Sequence, residues 1–494
     1  MPASHCPELF LAIFASYIVF LEARNGFHGT GIQQTDKDMT ETIKKKISES
    51  KSARWTALII VSFTMMWGYF LTDALSPLMT MLEQDPNAGW SSSEFGLFNS
   101  AYSWFNVYLF LLVFGGIVLD KKGVRFTGIV TCILMLAGAL IKYYAVQYIA
   151  PDAGTVFGIR TQVFVACLGY AVFAVGTENC CTTISKVIAK WFEGKELAMA
   201  MGIQVAVSRL GTASALIFCP MIANRFSVSA PLLLSAILLA IGLIAYLVFC
   251  VMDRKYDAEV ALEQPSDDDT FKIKDLKLII TNRGFWLIAL LCLMFYSAVF
   301  PFMKYATSLM ENKYGVSSNL AGLIPSLIPF GNLIMTPFFG GIYDRKGKGA
   351  TIMIIGSILL ILVHVLFALP LLNYWWFAAF IMIILGVAFS LVPSAMWPSV
   401  PKIIPQKLLG SAYALIFWVQ NIGLGLVPLL IGKILDNYCK MGTRLVDGAE
   451  VTQYNYTLPM CVFALFGIAA LLLAMRLKAV DKKEGYGLEE PNIK

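Results

Sequence analysis

Charge is what this chain has least of. Of its 494 residues only 14% are Asp, Glu, Lys or Arg, where a soluble protein carries roughly a quarter. Histidine is almost absent, with His5, His28 and His364 alone. The ten cysteines form no C-x-x-C pair and have no His at ligand spacing. Together these scarcities argue against a disulfide framework and a metal site. No Ser-His-Asp set and no phosphate-binding Gly loop in a strand-helix context is found, so hydrolase chemistry, nucleotide cofactors and an ATP-driven pump are excluded. The net charge of +6 does not point to nucleic acid, because the basic residues sit in the loops. His364 lies within an apolar run and is expected to pack.

What the chain has is apolar length. Hydrophobic residues make up 58% of it, and runs of about 20 residues, each able to cross a bilayer core as a helix, recur throughout. Twelve spans are predicted, near 55–82, 94–119, 126–149, 160–189, 197–223 and 230–252, then 284–310, 317–343, 349–370, 374–398, 408–435 and 455–477. The fold class expected is an all-α membrane protein. The polar stretch "DRKYDAEVALEQPSDDDTFKIKDLK" divides it into two six-helix bundles, 39–253 and 284–480, with a linker at 254–283 and a tail at 481–494. Residues 1–38 contain an apolar run too short to span, followed by a polar stretch up to Met39. They are expected to be a non-native or disordered extension, with translation beginning at Met39.

Lys and Arg collect in alternate loops: Lys44 to Lys46 and Arg54, Lys121, Lys122 and Arg125, Lys190 and Lys195, the linker, Arg345, Lys346 and Lys348, then Lys402, Lys407 and the C-terminus. By the positive-inside rule both termini are expected in the cytoplasm. The loop "EQDPNAGWSSS" on the other side carries neither residue.

Ionisable residues inside spans are functional candidates that need partners. Glu178 lies about a dozen residues before the turn at Glu193 and Gly194, and Arg209 about fifteen after it. At 1.5 Å per residue each sits roughly 18–22 Å from the turn, so antiparallel helices hold both near the midplane. One reading is a structural ion pair. The other is a clamp for a zwitterion, with Glu178 on an ammonium and Arg209 bidentate on a carboxylate. Such a clamp would read peptide termini and length and be indifferent to side chains. Asp73 and Lys304 are candidates for substrate contact or for pairing, and Pro301 is expected to break or kink the helix of Lys304. Lys142, near a span end, is expected to snorkel to the interface. Tyr69, Tyr102, Trp104, Asn106, Tyr296, Trp397 and Asn421 are candidate cavity lining, with a broken helix expected at Pro398.

"GGIVLDKKGVR" after the second span and "GGIYDRKGKG" after the eighth recur at equivalent places, which argues for internal duplication. Gly115, Gly116, Asp120, Gly123 and Arg125 form the first copy, and Gly340, Gly341, Asp344, Arg345 and Gly347 the second. Their glycines are expected to permit close helix approach. This pattern resembles the signature loop of the major facilitator superfamily. The resemblance implies two six-helix bundles around a central cavity, rocking alternating access and a substrate site near the midplane. Four longer stretches, including "GTENCCTTISKVIAKWFEGKELAMAMGIQVAVSRLG" and "SLVPSAMWPSVPKIIPQKLLGSAYALIFWVQNIGLG", are similar to the branch that contains the lysosomal dipeptide uniporter. In that branch a Glu and an Arg hold the peptide's amino and carboxyl ends, and Glu178 and Arg209 match their motifs. The resemblance therefore implies a dipeptide substrate, uniport and no cofactor. An organic-anion or monocarboxylate carrier using Arg209 and Lys304 is the alternative. Eukaryotic members of that branch carry an N-terminal acidic dileucine sorting signal and work with a glycosylated luminal accessory subunit. No such signal is seen here, so a monomer in a plasma or inner membrane is expected, with an accessory subunit possible but not indicated.

Overall fold

The computed structural model describes residues 50–192, 197–260, 276–370, 373–404, 409–446 and 449–491. The extension at 1–38 and most of the linker lie outside these residues, as do the side chains of Asp120 and Lys121. Eleven of the described helices are long and apolar enough to cross a membrane, and a bent pair makes a twelfth span. In order they are Lys51–Gln84, Ser92–Tyr108 with Leu111–Leu119, Lys122–Tyr148, Thr161–Ile188, Ala200–Arg225 and Ala230–Glu259, then Arg283–Tyr314, Leu323–Lys346, Gly349–Ala368, Trp375–Ile403, Ala412–Tyr438 and Thr457–Glu484. The chain is an integral, multi-pass, helical membrane protein.

Side-chain caps fix where several spans start, because the first N–H groups of a helix have no partner within it. Ser50 accepts from Ala53 N in the first span. Ser91 and Glu94 form a reciprocal capping box at the second. Asn282 accepts from Phe285 N at 3.0 Å in the seventh. The third and fourth spans show why small residues matter. A methyl group on Gly138 would fall 2.5 Å from Gly169 O and Phe173 N, and one on Gly176 would fall 2.7 Å from Met135 N. The two helices therefore run antiparallel with their backbones almost touching.

The second span is broken, which its apolar sequence did not reveal. Phe110 takes a left-handed conformation at φ 54°, and the two pieces meet at 56°. The break strands backbone carbonyls, and Trp418 of the eleventh span donates its Nε1 to one of them, Val107 O, at 3.2 Å. The Phe110 and Trp418 rings stack at 5.4 Å. Conversely, the seventh span is one helix from Arg283 to Tyr314 with Pro301 inside it, and the tenth runs through Pro393, Pro398 and Pro401. Neither helix is interrupted, so of the break or kink expected at Pro301 only the kink is left, and the broken helix expected at Pro398 is absent. Pro301 removes the donor that would bond to Ser297 O, and the Nε2 of buried His364 lies 3.0 Å from the next carbonyl, Ala298 O. His364 packs between Phe302 and Phe463.

On the side away from the basic loops the two halves are joined by polar contacts. There Thr80 donates to Glu311, and Ser93 N donates to Asp436. A hairpin of strands Lys440–Val446 and Ala449–Tyr454 lies against this seal, with Tyr454 OH 3.5 Å from Asp436. The second and eleventh spans meet at glycines: a methyl on Gly432 would fall 2.3 Å from Ser92 O, and one on Gly96 would fall 2.6 Å from Pro428 O. Substituting Gly432 by Val must force this seam apart. The expected result is a loss of about 1–3 kcal/mol by overpacking, read as a lower melting temperature in detergent.

On the basic side each bundle is tied within itself. Arg125 meets Asp257 at 2.8 Å and Asp253 at 3.3 Å. Lys190 and the Trp191 indole also reach Asp253, at 2.8 and 3.0 Å. Asp253, fully buried, was not singled out in the sequence. In the second half, residues 485–491 do not trail away as a free tail. Gly349 N donates to Leu488 O, Lys348 N to Glu489 O, and Glu489 accepts from Thr351. Gly347 belongs to this contact: at φ 68° a methyl there would fall 2.4 Å from Glu489 O. Gly115 packs on the Asn179 side chain, but Gly116, Gly123, Gly340 and Gly341 have nothing among the described residues within 4 Å of a would-be methyl. The close approach expected of those four is not seen.

Candidate functional site

A cavity of about 300 Å³ lies between the halves, within the range of small-molecule sites. The first, second, fourth and fifth spans wall it on one side, and the seventh, eighth, tenth and eleventh on the other. Val205, one turn from Arg209 toward the basic loops, lines it and is 45% exposed. With the opposite side sealed, the cavity opens toward the basic side.

Glu178, Arg209, Asp73, Tyr69, Tyr102, Tyr296, Lys304 and Trp397 all line this cavity. Asn106 and Asn421 do not. Asn421 instead lines a second cavity of about 360 Å³ between the second and eleventh spans, together with Trp104, and Ser103 Oγ donates to its Oδ1 at 3.4 Å. Asn106 is fully buried, and neither amide atom has a hydrogen-bond partner among the described residues.

Among the described residues Glu178 and Arg209 form no ion pair with each other. The Tyr102 hydroxyl donates to Glu178 Oε1 at 2.8 Å. Tyr102 sits edge-on to Tyr170, 5.3 Å between rings. Arg209 is held by ring faces: its guanidinium carbon lies 5.2 Å from the Tyr69 centroid, 5.3 Å from Phe389 and 5.4 Å from Phe300. Tyr69 belongs to its own half, while Phe300 and Phe389 come from the other. Cation–π contacts orient the cation without consuming its N–H donors, which stay available to an anion. The second half contributes no further charge but Lys304. Its wall is aromatic, with Trp397 Nε1 donating to the Tyr296 hydroxyl at 3.2 Å and stacking on Phe417 at 5.0 Å.

Asp73 and Lys304 pair with one another at 2.8 Å, joining the first span to the seventh. Lys304 Nζ also donates to Thr72 O at 2.7 Å and lies 3.4 Å from the Tyr170 hydroxyl. Lys142 does not snorkel. It is 1% exposed, with its ammonium over the ring of Tyr170 at 4.2 Å.

Sequence reasoning missed Tyr170, Gln204, Ser208, Phe300 and Phe389 in the cavity wall. Helical spacing carried a signal for some of them. Tyr170 is two turns before Glu178, and Phe300 one turn before Lys304, hence on the same faces.

Residues 58–428 match the family model described as Major Facilitator Superfamily. The chain is 27% identical over 395 residues to the human protein named lysosomal dipeptide transporter MFSD1, covering 78% of this chain and 80% of that one. The zebrafish protein of the same name is also 27% identical, over 394 residues, covering 78% and 81%. Among solved structures, a bacterial homologue of the human lysosomal transporter Spinster, described as inward-facing and unoccupied, aligns with TM-score 0.63 at 12% identity, covering 88% of this chain and 99% of that one. The nucleoside transporter NupG aligns with TM-score 0.59 at 17% identity, covering 87% and 99%.

Proposed function

Because this chain belongs to the major facilitator superfamily of transporters, we propose that its central cavity carries dipeptides across the membrane by rocking alternating access, the basic side facing the cytoplasm. The observation that carries the reading is the pair of opposite charges left open to each other across one cavity. Glu178 is fixed by Tyr102 and Arg209 by three rings, and neither is neutralised by the other. A dipeptide with free ends offers an ammonium for the first and a carboxylate for the second, and desolvation inside the cavity strengthens both contacts. The aromatic wall of the second half is left for the side chains. The similarity to proteins named dipeptide transporters supports the same substrate. An organic-anion carrier is disfavoured, because Asp73 already occupies Lys304 and Glu178 would repel a lone anion.

Thermal-shift measurements on the purified protein in detergent test this. Alanyl-alanine with free ends is expected to raise the melting temperature. N-acetylated or C-amidated alanyl-alanine, alanine and lactate are expected not to. Equal stabilisation by the N-acetylated peptide or by lactate would sink the clamp and favour the anion reading.

A further inference from the structure

On the side away from the basic loops, the third and fourth spans are joined by a small hairpin with a bare ring at its tip. Strands Thr155–Val156 and Ile159–Arg160 pair antiparallel. Phe157 and Gly158 turn between them, both left-handed, at φ 53° and 77°. A two-residue turn of this kind favours Asn or Gly at its first corner, and a bulky residue there is strained. The side chain is just as poorly placed. Phe157 is 90% exposed, and among the described residues its ring contact is Phe164, edge-on at 5.9 Å. The hairpin's other apolar residues, Val156 and Ile159, are half-buried, and Ile159 packs on the core. An aromatic residue thus stands where the backbone disfavours it and where water would disfavour its ring.

The neighbours of that ring belong to the membrane boundary. Phe164 is the fourth residue of the fourth span, Thr161–Ile188, so the tip folds back onto the first turn of a crossing helix. The adjoining span ends on this side also carry exposed rings. Tyr144 and Tyr148 close the third span, and Phe226 follows the fifth. Ser229 donates to Gln147, which joins those two ends. Rings at span ends form the interfacial belt of a membrane protein. The tip itself, "AGTVFGI" at 153–159, carries no charge. The next residue, Arg160, is engaged by Glu94 at 2.6 Å and by the Ala88 and Gly89 carbonyls at 2.9 and 3.0 Å. The tip can therefore enter a headgroup layer without desolvating a free charge. A stable protein interface would bury roughly 1,000 Å² or more, which a single ring does not offer.

From this geometry we infer that the Thr155–Arg160 hairpin is a membrane-surface anchor, its Phe157 ring seated between the lipid headgroups and the first methylenes of the leaflet opposite the basic loops. Burial of the ring in lipid offsets the strain of the turn, which the folded chain alone does not. The anchor is fastened to the seal between the halves. The Glu94 carboxylate that Arg160 holds also accepts from Ser91 N at 2.9 Å, at the start of the second span. Two residues on, Ser93 N donates to Asp436 of the eleventh span. The hairpin thus ties the leaflet to the first half's side of that seam. This anchoring holds whatever the carrier's cargo.

The full chain in phosphatidylcholine vesicles tests this. Phe157→p-benzoylphenylalanine keeps an aromatic ring and, under ultraviolet light, links to the C–H bonds it touches. The same replacement at Ile237, exposed on the sixth span, is the lipid-facing control. Mass spectrometry is expected to find a phospholipid adduct at 157, in a yield within several-fold of that at 237. No lipid adduct at 157 beside a clear one at 237 overturns the anchor, and so does a link from 157 to a second copy of the chain. The wild type gives an independent reading should the variant not fold. Hydroxyl radicals generated in the water phase are expected to oxidise Phe157 no more than Phe380, exposed on the tenth span. Oxidation of Phe157 several-fold above Phe380 puts the ring in water and overturns the inference.

Discussion

Arg209→Ala is expected to weaken dipeptide binding by about 100-fold or more, the roughly 3 kcal/mol that follows from truncating one partner of a desolvated charge pair. Isothermal titration or thermal-shift titration in detergent reads the loss. The expectation follows from how the guanidinium is held. Tyr69, Phe300 and Phe389 fix it through its face and leave its edge for a carboxylate. Arg209→Lys is expected to recover little, since an ammonium offers neither the planar stack nor the bidentate fork. Glu178→Gln keeps an acceptor for the Tyr102 hydroxyl but not the charge, so it is expected to weaken binding of peptides with free amines. An Arg209→Ala variant that binds alanyl-alanine as the wild type does would reduce the residue to packing between the halves.

Lys304→Met is expected to lower stability by about 3 kcal/mol, because removing one partner of a buried pair strands the other charge. The pair is about one-tenth exposed at each end, so water relieves only a little of that cost. The double variant Asp73→Asn with Lys304→Met removes both charges and is expected to recover most of the loss. A melting-temperature cycle over the four proteins measures this. Additive losses in the double variant would show that the two residues act separately. The same pair joins the two halves, so on the alternating-access proposal the single variant is also expected to favour a state in which the halves part at this pair.

Most of the span layout could be read from the sequence because lipid demands about 20 apolar residues per crossing. The break in the second span could not. It falls between Leu109 and Phe110, where no Gly or Pro marks it, and it is stabilised by Trp418 from 308 residues downstream of Phe110. Lys142 was misread for a similar reason. Counting six residues to the end of its helix suggests the interface, but direction decides and not depth. Met135, Ala139 and Val146 lie on the same helical face and are buried, and that face turns inward onto the fourth span. Glu178 and Arg209 were legible as a pair of depths, since the turn between them sets their level. That they would stand unpaired was not legible, because it depends on Tyr102 and on rings from the distant half. Asp73 and Lys304 were each visible as buried charges, yet 231 residues separate them, and only the packed halves bring them together.

At Gly96 and Gly432 backbone already presses on backbone, whereas Gly116, Gly202, Gly340 and Gly341 look into open space. One added methyl therefore has two meanings in one molecule. On the closed seam it acts as a wedge, felt immediately. At the open positions it meets nothing among the described residues, so any cost there is expected to appear only in a conformation that brings another element against them.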